Sequence, residues 1–326
     1  MQQRIRSAKL MTSLHSFPAH ADVLAAALRI AGLVKRTPLR RLRLRDHDLW
    51  LKCESLQTGG SFKLRGASNR LALLDDAQRS AGVVAFSSGN HAQGVAIAAA
   101  RLGISATIVM PSDAPAPKVA GTRAHGADVV FYDRASEDRI AIATALAAQR
   151  GAVLVPSFDD PHIIAGQGTA GLEAAAQCPE PVRRIVTCCG GGGLAAGLAL
   201  AIPGAEVVVV EPEGWDDMTR SLAAGRIEPV GPNPPPTACD ALQTPLVSPL
   251  TFKVLRAAGA RGIAVSEAEV RAAMRFAWRE LELIVEPGGA AALAAVLAGK
   301  VSPTPGTLVM LTGSNIDPAL HAEWVA

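Results

Sequence analysis

The sequence predicts an α/β protein built on two open, mostly parallel sheets. Three observations carry that prediction. Short apolar runs alternate with Ala-rich stretches of helical length. The runs are continuously apolar, as strands are when helices cover both faces of a sheet. With 326 residues, 49% of them hydrophobic, the chain can bury enough surface for two domains.

Taken in order, GVVAFSS (82–88) reads as a strand and HAQGVAIAAARLG as the helix after it. SATIVMP (105–111) is a strand, APKVAGTRAHG a helix and ADVVFYD a strand. SEDRIAIATALAAQRG is a helix with Ser136 as its N-cap. AVLVP, TAGLEAAAQ, RRIVTCC, GLAAGLALAI and AEVVVVEP continue the strand–helix alternation. SEAEVRAAMRFAWRELEL (266–283) is a long amphipathic helix, and TLVMLTGS (307–314) a late strand. The proline-rich RIEPVGPNPPPTACD (226–240) cannot be regular structure. The predicted smaller domain is 81–157; the larger combines 1–80 with 158–326.

Composition narrows the function. A net charge of +3 and 4% aromatic residues give no basic, stacking surface for nucleic acid. No apolar run is long enough for a membrane span, and the mixed first twenty residues are not a secretory signal. Cys53, Cys178, Cys188, Cys189 and Cys239 show no zinc-knuckle spacing. Cys188 and Cys189, adjacent after an apolar run, read as small buried side chains, and a reducing cytoplasm fits best.

In parallel α/β folds, ligands sit beyond the carboxyl ends of strands, and three such ends are unusual here. CGGGGLAAG (189–197) puts four consecutive glycines between a strand and a helix. Bare amides at a helix N-terminus suit a phosphate. A Rossmann site is the rival reading, with Glu211 as its ribose-binding acid, although the G-x-G-x-x-G spacing is imperfect. SSGNHAQG (87–94) crowds Ser87, Ser88, Asn90 and His91 at one helix start; it is either ordinary capping or a cradle for anionic oxygens. LTGSNID (311–317) is either a turn with glycine at positive φ or a place where the Thr312 hydroxyl faces a ligand. Lys63, in TGGSFKLRGA, reads by itself as a solvated charge.

Together the motifs resemble a family. SFKLRGA, SSGNHAQG, AGQGT, CGGGGL, VEPEGWDD, EPGGAA and TGSNID follow one another from about Thr37 to Asp317. They are similar to the fold-type II pyridoxal phosphate enzymes, of tryptophan synthase β-like fold, and within them to the serine/threonine dehydratase and serine racemase branch. The resemblance implies pyridoxal 5′-phosphate in the cleft between the domains. Lys63 would carry it as a Schiff base, beside Phe62. Gly190, Gly191, Gly192 and Gly193 would hold the phosphate, Asn90 the ring hydroxyl, and Thr312 would face the ring nitrogen. Glu286 would pass near the ring. Ser87, Ser88, Gly89, Asn90 and His91 would hold the substrate, with Ser88 matching the racemases' second catalytic residue. Glu211, Asp217 and the carbonyl of Trp215 would bind magnesium or another divalent cation; as plain structure, Glu211 caps the strand end and Asp216 and Asp217 cap a helix.

The implied activity is that of an ammonia-lyase converting L-threonine or L-serine to a 2-oxo acid and ammonium. Serine racemase and 3-hydroxyaspartate dehydratase are the alternatives on the same scaffold. For the latter, Arg139 is the candidate cation, or else a solvated helix arginine. A homodimer is implied too. An NAD-linked oxidoreductase and a non-catalytic sensor are the readings outside this class. The sequence departs from the family at Cys188–Cys189, at CDAL (239–242) and at Thr312–Asn315. Those changes bear on the substrate, not on the cofactor.

Overall fold

The computed structural model describes residues 17–326 apart from Pro115. In chain order its main elements are α1 (His20–Arg29), β1 (Leu39–Leu44), β2 (His47–Cys53), α2 (Lys63–Ala72), α3 (Asp76–Ala81), β3 (Val83–Phe86), α4 (Asn90–Leu102), β4 (Ala106–Pro111), α5 (Ala116–Ala124), β5 (Asp128–Tyr132), α6 (Arg139–Arg150) and β6 (Val153–Leu154). Then follow α7 (Pro161–Gln177), β7 (Arg184–Cys188), α8 (Gly193–Ala201), β8 (Glu206–Pro212), α9 (Asp217–Ala224), α10 (Pro249–Ala257), β9 (Arg261–Val265), α11 (Glu267–Leu281), α12 (Pro287–Leu297), β10 (Thr307–Leu311) and α13 (Pro318–Val325).

Two sheets form, one with strand order β1-β2-β10-β7-β8-β9 and one with order β5-β4-β3-β6. The smaller is parallel throughout. The larger is parallel except for the β1–β2 pair, an antiparallel edge hairpin that turns through Arg45 at φ 54°. Val207 to Val210 and Ile185 and Val186 are completely buried, as strands covered on both faces must be. α12, PGGAAALAAVL, is buried from Pro287 to Val296 under the larger sheet. α7 and α8 cross closely: a Cβ on Gly197 would stand 2.4 Å from the Ile164 carbonyl oxygen.

The topology decides where the site lies. β10 comes last of the strands yet sits between β2 and β7, parallel to both, with Leu311 opposite Cys53 and Val309 opposite Val186. The chain therefore leaves the carboxyl ends of three neighbouring strands side by side. Those exits are the segments containing Lys63, Thr312 and the four glycines.

Several expectations need correction. Ser136 does not cap α6: its hydroxyl bonds to Asp133, and Asp138 accepts from the amides of Ile140 and Ala141. The helix expected over TAGLEAAAQ begins eight residues earlier, at Pro161, capped by Asp160. Gly313 is not among the glycines at positive φ; its backbone instead bridges Ser61. Elements α1, β1, β2, α2, α3, α10, β9, α12 and α13 were not anticipated as such.

Candidate active site

One cavity collects Phe62, Lys63, Asn90, Gly190, Gly191, Gly192, Gly193, Glu286 and Thr312 in its walls. Phe62 caps the start of α2, and its amide donates to the Thr312 carbonyl at 3.2 Å. That bond joins the lysine segment to the end of β10. Lys63 Nζ donates to the Ser157 carbonyl at 3.0 Å. Burial lowers the ammonium pKa to about 8, against the opposing pull of Cys188 and Glu286. A readily neutralised amine is what nucleophilic and general-base chemistry requires.

Across the cavity the glycine run enters α8, with Gly192 in the left-handed region at φ 85°. A Cβ on Gly191 would lie 2.3 Å from the Phe158 ring, and one on Gly192 would lie 2.9 Å from Met218 Cε. Side chains have no room, so the run presents backbone N–H groups at a positive helix end. A phosphate fits that chemistry.

Asn90 is held from both sides. Its Nδ2 donates to Glu286 Oε1 at 2.5 Å, and Asn315 Nδ2 donates to its Oδ1 at 2.6 Å. Burial, then the negative charge of Asp240, raises the Glu286 pKa to about 7. Thr312 Oγ1 lies 3.2 Å from Cys188 Sγ, and burial pushes that thiol up to about 11, so it is protonated at neutral pH.

Ser87, Ser88 and Gly89 are half-buried in the loop before α4, where Ser87 Oγ accepts from the Gly89 amide. They and His91 are not among the cavity's lining residues. His91 is 2% exposed, and its Nε2 lies 3.0 Å from the Val155 carbonyl. A carbonyl only accepts, so Nε2 carries the proton; Nδ1 has no partner. Burial lowers the imidazole pKa to about 3. An unfolded histidine titrates near 6.5. Between those pH values the unfolded chain binds a proton that the native state refuses, so stability must fall as pH drops from about 6.5 towards 3. In His91→Gln the urea midpoint should decline less steeply over that range.

The proposed cation residues lie apart from this cavity. Glu211 accepts from the Met218 and Thr219 amides at 3.0 and 2.7 Å and from the Thr219 hydroxyl at 2.6 Å. It thus caps α9, while Asp216, at the N-cap position, makes no capping bond. A fully buried acid engaged in this way cannot take the ribose contact of a dinucleotide. Neither Asp217 carboxylate oxygen makes a well-formed hydrogen bond. Burial raises its pKa to about 7 and that of Glu211 to about 8, the Val247 amide partly offsetting the rise at Asp217. Trp215 Nε1 donates to the Pro235 carbonyl. Among the described residues, no three His, Cys, Asp or Glu side chains cluster so as to hold a metal. Arg139 is exposed and sits over the Phe86 ring, 5.7 Å from its centroid.

Sequence reasoning missed Ser157, Phe158, Thr244 and Asn315. Ser157 acts through its carbonyl and Phe158 through packing on glycine, neither of which has a sequence signature. Asn315 stood within a recognised motif but drew no role.

A half-buried, easily neutralised lysine facing a side-chain-free amide ribbon, at the carboxyl edge of a parallel sheet, defines a fold-type II pyridoxal phosphate enzyme. Relatives agree. The chain belongs to the family described as pyridoxal-phosphate dependent enzyme, which it matches over residues 30–313. It is 44% identical to an L-threo-3-hydroxyaspartate ammonia-lyase of Pseudomonas sp over 94% of this chain and 98% of that protein. It is 36% identical to a serine racemase of Schizosaccharomyces pombe over 95% and 98% of the two chains. Among solved structures, maize serine racemase superposes with a TM-score of 0.88 at 36% identity, covering 94% of this chain and 97% of that one. The chain is a pyridoxal phosphate enzyme of the ammonia-lyase and racemase group. Among the described residues no helix is long and apolar enough to cross a membrane.

Proposed function

We propose that the protein is an ammonia-lyase that removes water from a β-hydroxy amino acid such as L-threonine or L-serine and releases the 2-oxo acid and ammonium. The observation that carries this reading is the neutral partner of Thr312. Its hydroxyl meets the Cys188 thiol, not a carboxylate that would hold a facing ring nitrogen protonated. A weaker electron sink favours prompt loss of a β-substituent over a long-lived carbanion.

Bound pyridoxal phosphate supplies that electron sink for the substrate's α-carbon. The amides of Gly190 to Gly193 would hold its phosphate, Asn90 its ring hydroxyl and Thr312 its ring nitrogen, with Phe62 and Glu286 beside the ring. Lys63 would anchor the group, and its free amine would be the base for the α-proton. Ser87, Ser88, Gly89 and His91, with Asn90, surround the substrate carboxylate, and Ser88 is the residue through which serine would racemise. The small lobe, 81–157, closes on the large lobe, 1–80 and 158–326. Glu211, Asp217 and the Trp215 carbonyl would bind magnesium, a role supported by two buried aspartate oxygens without a well-formed hydrogen bond. The enzyme works in the cytoplasm, a location its five free thiols support, and as a homodimer.

The test is to incubate holoenzyme with L-serine, D-serine, L-threonine and the 3-hydroxyaspartates, with and without magnesium, measuring 2-oxo acid and substrate chirality. We expect stoichiometric 2-oxo acid and ammonium. Racemisation of L-serine outpacing 2-oxo acid release would overturn the reading.

A further inference from the structure

An ion pair at the edge of the cavity has no part in the chemistry described so far. Lys118 on α5 donates to Asp240 Oδ2 at 2.5 Å, joining two segments 122 residues apart. The lysine side chain is 20% exposed and the aspartate 56%. Asp240 opens a short helical turn whose next residues, Ala241 and Leu242, line the cavity with Thr244. That stretch packs on the glycine ribbon: a Cβ on Gly190 would be 3.1 Å from Thr244 Oγ1. Both charges reach inside, since Asp240 raises and Lys118 lowers the pKa of the buried Glu286 carboxyl.

We propose that Lys118 is the specificity-determining cation that receives the second carboxylate of a dicarboxylic β-hydroxy amino acid, Asp240 occupying its place until such a substrate arrives. This deepens, and rests on, the reading of the chain as a lyase of β-hydroxy amino acids. A substrate with two carboxylates brings one more negative charge towards a cavity that already contains Glu286. It needs a cation that remains partly desolvated and correctly aimed. Lys118 is mostly buried, and its pairing with Asp240 sets its ammonium next to the turn whose Ala241 and Leu242 line the cavity. Because the aspartate of this pair is largely exposed, it is held only weakly, so a ligand carboxylate can exchange with Asp240 at little cost. A threonine-sized substrate offers nothing to exchange, and the pair stays closed. Sites that recognise a polar group discriminate strongly against analogues lacking it.

The experiment compares kcat/KM for L-threo-3-hydroxyaspartate and L-threonine in holoenzyme and in two variants. Lys118→Met should lower the hydroxyaspartate value about tenfold more than the threonine value, chiefly through KM. Asp240→Asn should raise the ratio of hydroxyaspartate to threonine, by about threefold, because the competing carboxylate is gone. Equal losses on both substrates in Lys118→Met would make the pair a structural strut and overturn the proposal. So would selective loss on hydroxyaspartate in Arg139→Ala but not in Lys118→Met, or a wild type active on threonine and inert towards hydroxyaspartate. A wild type that yields no 2-oxo acid from either substrate defeats the lyase reading itself, which separates the two failures.

Discussion

Lys63→Ala should fold normally yet lose 2-oxo acid production by about 10³-fold, the scale of a missing general base. It should also lack the visible absorbance that a lysine-bound pyridoxal phosphate gives. The side chain makes one hydrogen bond, to the Ser157 carbonyl, so truncation removes little that supports the fold. Its pKa of about 8 leaves an appreciable neutral fraction near neutral pH, the form that attacks an aldehyde and takes a proton. Turnover and the spectrum report separate roles. A variant that kept full activity would show that another group removes the α-proton.

Arg65→Ala should have the largest effect on stability, roughly 3–5 kcal/mol by urea unfolding, the usual cost of removing one member of a buried ion pair. The Arg65 side chain is fully buried and binds two acids. Its Nε and Nη2 reach the two Glu54 oxygens at 2.8 Å, while Nη1 and Nη2 reach those of Glu173, also at 2.8 Å. Lys52, equally buried, donates to Glu173, to Gln177 and to the Thr37 carbonyl, each at 2.9 Å. Losing the guanidinium leaves Glu54 buried and without its cation. It also leaves a single lysine against both acids. Since α2 begins at Lys63, loosening Arg65 should weaken cofactor retention as well. An unchanged midpoint would mean that water fills the gap and solvates the acids.

The same network shows what the sequence could not disclose. Lys52 stands in HDLWLKC, where a charged residue argues against a buried strand; the acid that permits it lies 121 residues later. β1, LRRLRL, is an edge strand rich in arginine, with Arg41 and Arg43 paired to Asp48 across the hairpin. α12 is apolar all round and has no helical period to detect. The first half of α7, PHIIAGQG, hides behind glycines that serve close packing. The parallel strands, by contrast, were legible, because burial on both faces leaves a continuous apolar run. The site was legible wherever backbone chemistry demands glycine or a loop concentrates polar groups. Lys63, Asn90, Glu286 and Thr312 do converge with residues 190–193 in one cavity. The pair of Lys118 and Asp240 was not, since neither residue belongs to a motif with an assigned charge partner.

The position of β10 has a consequence for synthesis. A ribosome that has emitted residues 1–306 has released every partner of that strand, yet β2 and β7 must wait with an open slot between them. Both are unpaired along the facing edges, the condition that invites wrong strand addition. Until the five residues of the strand itself arrive, the pocket lacks a wall, so vitamin loading can only follow synthesis of that strand.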